Sequence, residues 1–121
     1  MKFLSAIAVF IVSALHFAFM ALEMFYWDHE LGYRLFKITP ELAEQTAALA
    51  ANQGLYNGIL AVGVLWGLVA GKRDVVIFFL LSVIIAGVFG AATISPRILF
   101  TQATPAFIAL VLTFLSRPKT A

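Results

Sequence analysis

Four long apolar segments, separated by short charged ones, dominate the pattern of hydrophobic and polar positions along the chain. They cover about residues 2–27, 46–70, 75–93 and 98–116. Each is close to the roughly 20 residues that a helix needs to cross a hydrocarbon core about 30 Å thick. None alternates with a period of two, so helices are predicted, because a helix satisfies its own backbone polar groups in lipid. The pattern predicts an all-α membrane protein, a four-transmembrane-helix bundle that forms a single domain over residues 1–121.

The stretch between the first two segments, DHELGYRLFKITPELAEQ, is the longest polar one. Its apolar residues recur at helical spacing, which predicts a short interfacial segment on the outer surface. Thr39 followed by Pro40 is typical of a helix N-cap and first helical position, so the second helix is expected to begin near Pro40.

The other two connections are short. In the GKRD turn, Gly71 is predicted to end the second span and Asp74 to be the N-cap of the third. Ser95 and Pro96 predict the start of the last helix, and Pro105 predicts a kink within it.

Composition and charge place the chain in a membrane and predict its orientation. Hydrophobic residues make up 63% of the chain and charged residues 12%, unlike a soluble domain. The net charge of +2 does not indicate nucleic-acid binding, because the basic residues stand singly or in pairs at span ends. Five basic residues lie on one side of the four-span arrangement and three on the other: Lys2, Lys72, Arg73, Arg117 and Lys119 against Arg34, Lys37 and Arg97. This asymmetry predicts cytoplasmic N- and C-termini, and helical spans favour the bacterial inner (cytoplasmic) membrane.

The first span carries a histidine and a glutamate on one face. His16 and Glu23 are seven positions apart, about two helical turns, and Met20 and Trp27 continue the same stripe. A charged side chain near the bilayer centre costs several kcal/mol, so this face is expected to point into the protein. Glu23 is the predicted acid/base group and His16 its proton partner.

The second span contains AANQGLYNG, which is rich in carboxamides. Counted at about 1.5 Å per residue from the outer boundary, Glu23 lies roughly 6 Å deep, Asn52 about 9 Å, and His16 and Asn57 about 16 Å. Polar residues of the third and fourth spans also fall in the outer half. The predicted ligand-binding residues are therefore Asn52, Gln53, Tyr56, Asn57, Thr93, Gln102 and Trp27.

These residues favour a polar pocket in the outer half of the bundle that binds a small or lipid-soluble molecule, and they leave open whether the protein is an enzyme that performs acid/base chemistry on it. Two alternatives stay open: a small proton-coupled transporter, and a structural or partner-binding bundle fastened by its polar residues. Two candidate ligands are fewer than the usual three or four, so no metal site is predicted, and no motif indicates a cofactor. The expected partners are membrane lipid and a lipid-soluble ligand. The glycine pairs favour tight packing within one subunit and leave a homo-oligomer open.

Three segments, HFAFMALEMFYW, AANQGLYNGILAVGVLWGL and GAATISPRILFTQATPA, resemble a family of small bacterial four-span membrane proteins known as domain of unknown function 1304. The resemblance extends over nearly the whole chain. It implies an integral membrane protein and carries over no activity. The motif positions that it includes are His16, Glu23, Asn52, Gln53, Asn57, Thr93, Gln102 and Pro105.

Overall fold

The computed structural model describes residues 2–116, and this part of the chain is helical, with no strand. The helices are α1 (Lys2–Phe25), α2 (Glu30–Phe36), α3 (Pro40–Val69), α4 (Arg73–Thr93) and α5 (Thr104–Leu115), the last preceded by a π-helical turn at Leu99–Ala103. Helices α1, α3 and α4 are long and apolar enough to cross a membrane, whereas the apolar run Leu99–Leu115 is shorter. The prediction of an all-helical membrane protein is confirmed. Arg117 and Lys119, two of the residues behind the predicted orientation, lie outside the described residues.

The chain divides into two compact units. Unit A is Ala14–Ala61, and unit B combines Met1–Ser13 with Val62–Ala121. Unit A therefore holds the second half of α1, all of α2 and the first part of α3. The prediction of one domain over the whole chain stays a prediction.

Two glycines bring α3 close to α1 within unit A. Gly54 and Gly58 are both buried, and a Cβ added at Gly58 would come to 2.5 Å from Sδ of Met20. A Cβ added at Gly54 would lie 2.6 Å from Cγ of Met24. Glycine at these positions lets two membrane helices approach until their backbones and side chains are in contact. Gly54 packs on Met24, and Gly58 packs on Met20. The two helices are therefore antiparallel.

Helix α2 packs on the turn that follows α1. Gly32 is buried, and a Cβ added there would overlap the carbonyl oxygens of Tyr26 and Trp27. The Trp27 ring lies 4.8 Å from that of Phe36 at the end of α2. The short helix predicted between the first two spans is therefore present, and it is held by backbone contact and by an aromatic pair.

Local capping chemistry determines where α3 begins and ends. Thr39 caps α3 as predicted, since its Oγ1 accepts the N–H of Leu42 at 3.1 Å. After Val69 the chain reverses through Gly71, whose φ of 67° lies in the left-handed region. The N–H of Lys72 then reaches the carbonyl oxygen of Gly67 at 2.9 Å, the pairing of a Schellman motif.

In unit B, α4 does not begin where the sequence predicted. The N-cap is Lys72, and α4 begins at Arg73, so Asp74 falls inside the first turn. The reversal at Gly71 has already brought the backbone of Lys72 into an extended conformation, which leaves Asp74 within the helix. Its carboxylate accepts the N–H of Val75 at 3.0 Å. The prediction of Asp74 as the N-cap was wrong.

A π-helical turn precedes Pro105, the residue at which a kink was predicted. Here the N–H of Thr104 bonds to the carbonyl oxygen of Leu99, five residues earlier. Proline has no N–H to donate, and a wider turn is one way in which a helix accommodates it. A Cβ at Gly87 of α4 would lie 2.8 Å from the backbone nitrogen of Ala103, so the wide turn also packs tightly on α4.

Candidate functional site

The centre of the candidate site is a hydrogen bond between α3 and α1 in unit A. Nδ2 of Asn57 donates to Oε1 of Glu23 at 2.5 Å, and both side chains are half-buried. Gly54, one turn before Asn57, makes this approach feasible, because a Cβ there would lie 3.1 Å from Cβ of Glu23. The acidic side chain thus faces a polar partner on the neighbouring helix.

His16 occupies a deeper and fully enclosed position. Its side chain is 1% exposed, and its ring meets that of Phe19 edge-on at a centroid distance of 5.3 Å. Seven residues of helix separate it from Glu23 by about 10 Å along the axis. Met20 lies between them on the same face and contacts the backbone of α3 at Gly58. Proton exchange between His16 and Glu23 would therefore need an intermediate group, such as water or a ligand.

The other polar residues predicted on the second span do not join this pair. Asn52 and Gln53 are exposed, and Tyr56 is 57% exposed. Of the predicted α3 cluster, the structure brings only Asn57 into contact with Glu23. Asn52, Gln53 and Tyr56 lie on the surface of the chain.

Trp27, also predicted in the site, is tied to the start of α3. Its indole Nε1–H donates to Oγ1 of Thr46 at 3.0 Å, and the Thr46 hydroxyl donates to the carbonyl oxygen of Leu42 at 2.7 Å. Thr46 was not among the predicted site residues. The signal is present in the sequence, since the first apolar segment ends at residue 27 and the second begins at residue 46, on the same side of the membrane.

The two remaining predicted residues belong to unit B. The Thr93 hydroxyl donates to the carbonyl oxygen of Phe89 in its own helix at 2.7 Å, and the residue is exposed. Gln102 lies in the π-helical turn and is half-buried. Within residues 2–116, no group of three or more His, Asp or Glu side chains is arranged to hold a metal ion.

Comparison with known proteins identifies the family. A family model described as "Protein of unknown function (DUF1304)" matches residues 10–114. The uncharacterized protein YpaA of Lactococcus lactis subsp. lactis (strain IL1403) is 28% identical, over 94% of this chain and 99% of its own length. No solved structure matches the chain. The match covers most of the chain and confirms the resemblance seen in its motifs: the protein belongs to the DUF1304 family.

Proposed function

We propose that Glu23, Asn57 and His16 form a polar intramembrane site that binds a small or lipid-soluble molecule. Glu23 would act on that molecule as an acid or base. The observation that carries the proposal is the hydrogen bond from Asn57 to Glu23, made between two helices that are long and apolar enough to cross a membrane. An ionisable side chain at such a position is costly to keep, which favours a functional role.

The geometry leaves one carboxyl oxygen for a ligand. Asn57 occupies Oε1, and within the described part of the chain no group donates to Oε2. A carboxylate can accept bonds at both oxygens, and a carboxylic acid can donate one. Asn57 fixes the orientation of the carboxyl group. A group that transfers a proton in a defined direction needs such a fixed orientation.

A structural role is the competing hypothesis, and a specific observation favours it. The same bond is accompanied by close packing at Gly54 and Gly58, which is the arrangement expected where polar groups merely fasten two membrane helices. The substitution Glu23→Gln separates the two hypotheses. Glutamine keeps the shape and can still accept from Asn57, but it cannot ionise or exchange a proton.

The test uses molecules that co-purify with the protein. Wild type, Glu23→Gln and Glu44→Gln are isolated from the same membranes, extracted with organic solvent and compared by mass spectrometry. Glu44 is exposed in unit A and provides the matched control. We expect a molecule that is present with wild type and Glu44→Gln and reduced about tenfold with Glu23→Gln, since a tenfold loss is about 1.4 kcal/mol. Identical extracts from all three proteins would reject the binding site and leave the structural role.

We further propose an inner-membrane location with both termini in the cytoplasm. The chain contains no cysteine, so single cysteines can report on each side without background. Lys37 and Lys72 are both exposed. A membrane-impermeant maleimide should label Lys37→Cys once it has access to the periplasm, and Lys72→Cys only after cell lysis. The reverse pattern would invert the orientation.

A further inference from the structure

A cavity of about 310 Å³ opens in unit B where four helices begin or end. Its lining includes Lys2 at the start of α1, Gly71 after α3, Arg73 at the start of α4 and Ser116 after α5. The volume is at the lower end of the range for small-molecule pockets. The cavity shares no residue with the Glu23–Asn57 site.

Positive charge in this cavity is not balanced by an acidic side chain. Lys2 and Arg73 both line it, and no described acidic residue does. Asp74 is the only acidic residue in the sequence of unit B, and its carboxylate bonds to the backbone of Val75. An uncompensated pair of cations beside apolar surface attracts an anion.

The Arg73 side chain contacts the end of α5 at the edge of this cavity. Its Nη2 donates to the carbonyl oxygens of Thr113 and Phe114 at 3.2 and 3.5 Å, and its guanidinium lies 5.6 Å from the Phe114 ring centroid. These contacts neutralise the end of α5 and leave the formal charge of the guanidinium in place. Its Nη1 group can still donate to the oxygens of a tetrahedral phosphate.

The largely apolar lining of the cavity also contains hydroxyl groups. Ser5 and Thr113 are buried, with 7% and 5% exposure, and their hydroxyl groups bond to each other at 3.2 Å. Ser116, at the rim, donates to the carbonyl oxygen of Thr113 at 3.3 Å. Hydroxyl oxygens that already donate to protein can still accept from water or from a ligand hydroxyl, so the cavity suits a hydrated polar group.

Neighbouring residues of unit B are of the types found at the level of lipid headgroups. The Lys72 ammonium lies 5.8 Å from the Trp66 ring centroid, and tryptophan and lysine are typical of the membrane boundary. Phe3 and Leu4, next to Lys2, are 77% and 55% exposed and present apolar surface beside the cavity. Basic pockets between membrane helices at this level bind the head groups of anionic lipids.

We propose that the cavity binds the phosphate group of an anionic phospholipid, with Lys2 and Arg73 contacting the phosphate and the hydroxyl groups of the lining contacting the rest of the headgroup. The acyl chains would then extend along the exposed apolar surface at Phe3 and Leu4. Free inorganic phosphate offers the same charged group without those chains. The experiment therefore distinguishes the two sources.

The full-length protein in detergent is titrated with dioleoyl phosphatidylglycerol, dioleoyl phosphatidylcholine or inorganic phosphate, and bound ligand is measured by native mass spectrometry. We expect phosphatidylglycerol to bind at least about fivefold more tightly than phosphatidylcholine. Lys2→Gln and Arg73→Gln should each weaken binding of phosphatidylglycerol about fivefold, as expected for removal of one nearby charge. Arg97→Gln is the matched control, an exposed cation of unit B outside the cavity, and should bind like wild type.

If Arg73→Gln does not fold, Lys2→Gln still tests the proposal. Within residues 2–116 the Lys2 side chain makes no hydrogen bond, so its replacement should not disturb the fold. Equal binding by wild type, Lys2→Gln and Arg97→Gln would overturn the proposal, since the lipid would then be bound without regard to this cavity. Displacement of phosphatidylglycerol by millimolar phosphate would show that the cavity binds free phosphate and would reject a phospholipid as its ligand. The extraction experiment on Glu23 is unaffected by either result.

Discussion

The hydrogen bond between Glu23 and Asn57 should give a measurable coupling energy. A double-mutant cycle with Glu23→Leu, Asn57→Leu and both changes removes the bond from either side. Hydrogen bonds between membrane helices contribute about 0.6 kcal/mol on average and at most about 1.7. A bond to an ionised group is roughly twice as strong as a neutral one, so an ionised Glu23 would give about 1.2 kcal/mol and a neutral Glu23 about 0.6 kcal/mol.

The assay is reversible unfolding in mixed micelles, followed by far-ultraviolet circular dichroism as sodium dodecyl sulfate is added. A second cycle on Trp27 and Thr46 provides the matched control, because that bond joins two neutral side chains in the same unit at 3.0 Å. Trp27→Phe and Thr46→Val should couple by about 0.6 kcal/mol. A coupling energy at Glu23 and Asn57 below about 0.3 kcal/mol, or below that of the control pair, would refute a charge-assisted bond between the two helices.

Three further predictions follow from local geometry. Gly58→Ala should destabilise the protein by about 1 kcal/mol or more, because the new Cβ would lie 2.5 Å from Sδ of Met20. In the same unfolding assay, most of this effect of Gly58→Ala should be absent when it is measured in a Met20→Ala background. Gly71→Ala should cost about 1 kcal/mol from its φ of 67° alone, since a Cβ there meets nothing within 4 Å; no change in stability would contradict the left-handed turn. The Asp28 carboxylate accepts a hydrogen bond from the Tyr33 hydroxyl at 2.7 Å and raises the pKa of that phenol. The stability that this bond contributes is therefore present at neutral pH and is lost as the pH rises through the raised pKa. Absorbance at 295 nm, measured as the difference from Tyr33→Phe, should therefore show ionisation at lower pH in Asp28→Asn than in the wild-type chain.

Much of the helical framework could be predicted because its signals are local. Thr39 before Pro40 and Gly71 after Val69 each act through a side chain or backbone angle within one turn, so the residues alone determine the helix end. Asp74 shows the limit of that reasoning. Whether a polar residue is the cap or lies within the first turn of the helix depends on where the preceding turn ends, and here Gly71 determines that position.

The pairing in the candidate site was predicted only in part, because depth along a helix axis is not the depth of a side-chain tip. The axial count placed Glu23 nearer to Asn52 than to Asn57. In a helix, side chains lean toward the N-terminus. Since α1 and α3 are antiparallel in unit A, Glu23 leans deeper while Asn57 leans outward, and the two tips meet. A prediction that included this tilt would have favoured Asn57.

The exposed carboxamides Asn52 and Gln53 are explained by the length of α3. Its 30 residues extend about 45 Å, half as long again as a hydrocarbon core of about 30 Å. If the end at Val69, next to the charged turn, marks one membrane boundary, the other falls near Ala50. Asn52 and Gln53 then lie within about 5 Å of that boundary, where water and headgroups can satisfy them, whereas Asn57 lies about 10 Å inside. The polar groups that need a protein partner are the deep ones, and in unit A Asn57 finds that partner in Glu23.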